Sequence, residues 1–267
     1  MNLDYVPLLR VQRKLHEIPR GDKVNGTPKR FLEYLRAMTS KDGTGLELPP
    51  LVMINPMAKD HVTALLDALL TLDADGIAAR AVSETSALLG DVPGDFKVTL
   101  LVVDDWMGWT NRAACELDIR FGGGLPDRLP RWTKHFWLTA VLWGSEPASE
   151  RAVREAIWTM AHRLAYVRRH GPARTLRDML AQEGRVMARA GCVAPALEPD
   201  DLEYTREVMA PYLDAEDRRT AVECLFGDEA ARGLGFTPRG LSPRAGLALA
   251  LHDARIEEGR SRAVASP

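Results

Sequence analysis

The run FKVTLLVVDDWMGWTNR, Phe96 to Arg112, decides how this chain folds. Its first half, Phe96 to Val103, is a strand by its β-branched and large apolar content, and from Val98 onward it offers almost no polar face. A strand that is apolar on both faces belongs in a sheet that helices cover. This one stops at two adjacent carboxylates, Asp104 and Asp105, where buried backbone meets a loop.

Working outward, Leu51 to Ile54 reads as a short buried strand, and HFWLTAVLW, His135 to Trp143, as another. Between these runs Val62, Leu65, Leu66, Leu69 and Leu70 recur at helical spacing. A second helix is expected over Ala74 to Leu89, closed by Gly90, and a third over Thr110 to Phe121, followed by the loose segment GGGLPDRLP. Pro is tolerated at a first helical position, so Thr27-Pro28, Asn55-Pro56, Glu146-Pro147, Glu198-Pro199 and Ser242-Pro243 are expected helix starts. After the first of them Phe31, Leu32 and Leu35 suit a short helix, and KDGTGLELPP then reads as loop.

Strands separated by helical crossovers favour a parallel sheet. Beyond Trp143 the pattern turns wholly helical. Val153, Ile157, Met160, Leu164 and Val167 line one long helix ended by Gly171-Pro172. Leu176, Met179, Leu180 and Met187 line another, stopped by Gly191. Further helices are expected at Leu202 to Leu213, Ala221 to Phe226 and Gly246 to Glu258. The expected fold is α/β, or α+β with high helix content: a small, mostly parallel sheet in the first half, packed by helices, with an all-helical C-terminal half. The expected organisation is an N-terminal helical and loop segment over 1–50, a sheet-containing core over 51–170, a helical region over 171–259 and a frayed tail over 260–267.

A chain of 267 residues can bury a substantial core without covalent staples. Cys115, Cys192 and Cys224 are odd in number and form no C-x-x-C pair, which argues against a disulfide framework and a thiolate zinc site and fits a reducing cytoplasm. With 35 Lys and Arg against 37 Asp and Glu, no net field draws the protein to nucleic acid or anionic lipid, and neither partner is expected. No apolar run approaches the roughly 20 residues of a membrane span, and the N-terminus lacks the pattern of a secretory signal.

If the three strands run parallel, their C-terminal ends share one edge, where open α/β folds place ligands. Those ends are Asn55, Asp104-Asp105 and Ser145-Glu146, all polar. Asp104, Asp105 and Arg112 are the candidate catalytic residues, and Asn55, His61, Trp106, Trp109, Asn111, Ser145 and Glu146 the candidate ligand-binding ones. Two carboxylates so close repel unless a cation neutralises them. That allows a hard metal such as Mg²⁺ held partly by water, one acid as general base with Arg112 on an anion, or plain hydrogen bonding to a hydroxylated or amine ligand. Adjacent strand positions face opposite ways, so Asp104 and Asp105 need not share a ligand. The competing account is structural, because Asp, Asn and Ser also follow strands to cap the next helix or close a turn.

No strong catalytic signature is present. GDKVNGTP, Gly21 to Pro28, lacks the lysine and the preceding strand of a phosphate loop, and Gly122-Gly123-Gly124 lacks dinucleotide spacing. The six histidines contain no i, i+4 pair for zinc, and only His61, just past the expected first strand, can reach the rim together with Lys59. Metal and cofactor stay unassigned at this level. Two functions compete: a small polar ligand bound or transformed at the strand ends, and a non-catalytic homo-oligomer or partner-binding protein that uses the amphipathic helices and a tryptophan cluster, Trp106, Trp109, Trp132 and Trp137.

Overall fold

The structure is a computed structural model and describes residues 1–38, 59–106, 110–122 and 137–265. Its first elements are β1 (Asn2–Tyr5), α1 (Leu9–Glu17), a hairpin of β2 (Lys23–Val24) and β3 (Thr27–Pro28), α2 (Lys29–Met38), α3 (Asp60–Thr71) and α4 (Ala74–Leu88). Next come β4 (Asp95–Val103), α5 (Arg112–Phe121), β5 (Trp137–Trp143) and α6 (Glu150–His170). The remainder is α7 (Leu176–Arg189), α8 (Pro199–Met209), α9 (Arg218–Phe226), α10 (Asp228–Gly233) and α11 (Ala245–Ala265). The fold is α/β, with a three-stranded parallel sheet in the order β1-β4-β5 and an all-helical C-terminal half. Among the described residues no helix is long and apolar enough to cross a membrane.

Two compact units divide the chain: Met1–Thr110 with Trp132–Met160, which holds the sheet, and Asn111–Arg131 with Ala161–Pro267. The division passes through α6 and assigns α5 to the C-terminal helices rather than to the sheet. Packing explains this, because Ala113, Leu117 and Phe121 of α5 share a buried cluster with Leu176, Met179, Leu202, Leu225 and Leu247.

In the first unit β4 is the central strand. Val98 through Val103 are all buried, Thr99 included, so both faces of the strand are covered. β5 pairs with it from Lys97↔Trp137 to Val103↔Trp143, and Gly144 N–H extends the ladder to Val103 O at 2.7 Å. On the other side β1 pairs only as far as Tyr5↔Val98. Alternation along a strand then turns the backbone of Val102 toward the edge that β1 has left. Gln12 of α1, 2% exposed, occupies that edge. Its Nε2 donates to Val102 O at 2.7 Å and its Oε1 accepts from Val102 N–H at 3.1 Å. A side-chain amide thus continues the ladder where the strand ends.

Several sequence expectations are corrected here. The sheet takes an edge strand from Asn2–Tyr5, inside the segment read as helix and loop, because four residues alternating in exposure carry too little periodicity to stand out. The strand expected at Leu51–Ile54 lies outside the described residues, as do Asn55-Pro56 and His135. Thr27-Pro28 is also the second strand of a hairpin, because Asn25 (φ 49°) and Gly26 (φ 81°) make the left-handed turn that Asn-Gly favours, and the expected helix with Phe31, Leu32 and Leu35 follows directly as α2 from Lys29. α6 begins at Glu150 behind Ser149, whose Oγ accepts from Ala152 N–H, and not directly after Glu146-Pro147. α11 begins at Ala245, one residue before the expected Gly246, but continues to Ala265, past Glu258 and the Arg260 where a frayed tail was expected.

The second unit is tied together by buried charge. Glu116 (3% exposed) accepts from Arg112 Nε, Arg120 Nη2 and Arg244 Nη1 at 2.8, 2.8 and 2.7 Å. Glu183 accepts from Arg163 Nε at 2.7 Å and from Arg120 Nη1, so Arg120 bridges the two acids. Burial alone would push Glu183 up, but Arg163 and Arg120 outweigh it and hold the group at about 2. Next to it Gly184 lies against α11, where a Cβ would collide with the Ala250 carbonyl.

Replacing Gln12 with Leu keeps the side chain buried but strips Val102 of both partners. Stability is expected to fall by about 2–6 kcal/mol, from roughly 1–3 kcal/mol for each of the two orphaned groups, read from the denaturant midpoint. Two histidines give a pH dependence. Burial and the charges of Arg30, Arg13 and Arg20, partly offset by Asp60, lower His16 to about 4; burial, Arg189 and Arg169 do the same to His162. As pH falls from the ordinary histidine value of 6.5 toward about 4, the unfolded chain takes up protons that the folded chain refuses. The melting temperature is therefore expected to drop across that window, and His16→Gln or His162→Gln should flatten the drop. Glu183 adds its own loss from the lower end of that window downward, as pH falls from 4.5 through about 2.

Candidate functional site

β4 delivers Asp104 to the place where its buried backbone ends. The side chain is 0% exposed and needs partners there. Its Oδ1 accepts from Trp106 N–H at 3.1 Å and meets His61 Nε2 at 2.7 Å, while Oδ2 accepts from Lys59 N–H at 3.3 Å. Lys59 is the N-cap residue of α3 and has no side-chain cap of its own. The carboxylate therefore caps α3 from a different element and sets negative charge at the positive end of the helix dipole.

This capping places His61. One residue past Asp60 at the start of α3, the imidazole lies over the end of β4 with its side chain 29% exposed. The Trp106 ring stands 5.7 Å from it between centroids, tilted by 42°, and Trp106 itself is 47% exposed. A buried acid, a half-open imidazole and an exposed indole thus follow one another from the sheet outward.

Asp105 serves a different contact. Its Oδ1 accepts from Ser145 N–H at 2.8 Å and its Oδ2 from Ser145 Oγ at 2.7 Å, joining the ends of β4 and β5. The two adjacent aspartates have separate sets of neighbours, as opposite-facing positions require. Glu146 N–H closes the turn after β5 onto Trp143 O at 3.0 Å.

Asn111 caps α5 by accepting from Ala114 N–H at 3.0 Å, and Arg112 donates to Glu116 at 2.8 Å; both belong to the second unit. Asn55 and Trp109 lie outside the described residues. Among the described residues no group of three or more His, Cys, Asp and Glu side chains converges as metal ligands would. Nothing local signals the contact between His61 and Asp104 beyond the position of each near a strand end, because the two lie 43 residues apart and meet only in the folded chain.

Compared with known protein families, with curated proteins and with solved structures, the chain matches none.

Proposed function

We propose that the ends of β4 and β5, together with the start of α3, hold a small polar ligand, and that Asp104 and His61 act on it as an acid–base couple. The observation that supports this reading is the 2.7 Å contact of His61 Nε2 with a fully buried carboxylate. A carboxylate at Nε2 holds the proton on that nitrogen and leaves the Nδ1 lone pair as the acceptor. Among the described residues Nδ1 has no hydrogen-bond partner. It can take a proton from a ligand hydroxyl or amine, and Asp104 then stabilises the imidazolium. The exposed indole of Trp106 offers an apolar wall beside the ring, and the Asp105–Ser145 tie holds the two strand ends in place.

The test is a screen of hydroxylated and amino compounds against the whole protein, read by melting temperature and by the ring resonances of His61. A ligand is expected to shift those resonances and raise the melting temperature, with the response lost in His61→Gln and weakened in Asp104→Asn. A response that survives in His61→Gln refutes the couple. Variants that lose stability with no ligand-dependent difference from wild type reduce Asp104 to a helix cap.

The exposure of Trp106 also favours a second reading, in which a partner or a second copy covers the indole. In that case Trp106→Ala lowers the particle mass in solution while His61→Gln leaves it unchanged.

A further inference from the structure

The second unit holds a cavity of about 680 Å³, walled by the end of α8, the 3-10 turn Ala210–Tyr212 that follows it, α9 and the segment around Pro238. Its floor is a carboxylate. The Glu223 side chain is 0% exposed; its Oε1 accepts from Arg219 Nε at 2.8 Å and from Thr237 N–H at 3.1 Å, and its Oε2 is paired with Arg239. Burial alone would push this acid up, but Arg219, Arg239 and the Thr237 N–H hold it below the ordinary glutamate range, so it stays charged.

Both guanidiniums are held against aromatic rings. Arg239 lies 3.8 Å from the Tyr212 centroid and Arg219 5.8 Å from that of Phe236. Arg219 also donates to Thr237 Oγ1. Two guanidiniums carry far more N–H donors than one carboxylate and one hydroxyl can accept. Arg239 Nε is buried without an acceptor, and Arg219 keeps 54% of its side chain exposed. The cluster is therefore fixed in geometry before any ligand arrives and retains spare donors.

We propose that this cavity binds a small organic monocarboxylate, its carboxylate on the spare donors of Arg219 and Arg239 and its apolar body against Val208, Pro211 and Pro238. The volume lies within the roughly 300–1,000 Å³ usual for small-molecule sites. Two further acids restrict the charge of the ligand. Glu207 lines the same cavity, and Asp217, which caps α9 through Thr220 N–H, interacts electrostatically with Arg239. With Glu223 they set three carboxylates against two guanidiniums, so directed hydrogen bonds rather than a net positive field hold the ligand, and a doubly charged phosphate is disfavoured. This site is independent of the strand-end reading and shares no residue with it.

Benzoate is the probe, with phosphate and sodium chloride at matched ionic strength as comparisons, followed through the Nε–H resonances of Arg219 and Arg239 in the full chain. Saturable benzoate binding is expected, weakened about tenfold or more in Arg219→Gln, a loss in line with one charge-assisted bidentate contact. Arg219→Lys should fall between wild type and Arg219→Gln, and Glu207→Gln should tighten binding. Arg219→Gln also takes a partner from the buried Glu223, so its ligand-free melting temperature is expected to fall and each affinity is read below that temperature, while Arg219→Lys, which keeps the charge, separates lost binding from lost stability. No saturable response, an equal response to chloride, phosphate binding as tight as benzoate, or unchanged affinity in Arg219→Gln would each overturn the assignment.

Discussion

The first unit is governed by the demand that a strand covered on both faces leave no backbone group unpaired. β4 meets it with β5 along one side and, along the other, with β1 and then the amide of Gln12. Where the strand emerges from its neighbours, the first polar side chain is still buried and must find donors. Asp104 finds them at the start of α3, and so the end of the strand fixes the helix that carries His61. The geometry of the candidate site follows from satisfying the buried strand.

The second unit solves a related problem with charge. Its helices bury Glu116 and Glu183, and each acid is met by more than one guanidinium. Such groups are costly to desolvate, and the attraction between them offsets the cost only when the hydrogen bonds are well formed. Their clearer consequence is specificity. Arg120 joins both acids, so α5 and α7 are fixed in register relative to each other within the unit. Glu223 repeats the device at the wall of a cavity, where the guanidiniums it organises are partly open to solvent.

Much of the fold was legible in single residues. The unbroken apolar run before Asp104 indicated a covered parallel strand, and β4 and β5 run parallel as that reading requires. Gly171, Gly191 and Glu198-Pro199 marked helix ends and starts close to those observed, because caps act through local backbone geometry. Elements whose identity depends on a distant partner were harder. β1 has only four residues and is a strand because β4 lies beside it, and α5 belongs with the C-terminal helices because of what Leu117 touches. Asn-Gly at 25–26 carries a local hairpin signal of its own, masked by the resemblance of the Gly21 and Gly26 spacing to a phosphate loop.

The sequence by itself determined where the chain turns from apolar to polar, where most of the longer helices lie, and that two carboxylates follow the strand that ends at Val103. These follow from periodicity, propensity and capping, all of which act over a few residues. Tertiary structure alone decided that Asp104 meets His61 while Asp105 meets Ser145, that Gln12 completes a strand edge, and that Arg219 and Arg239 share Glu223. Each of these contacts joins elements distant in the chain or set by loop geometry, and each forms only because burying a polar group requires a partner that packing happens to supply.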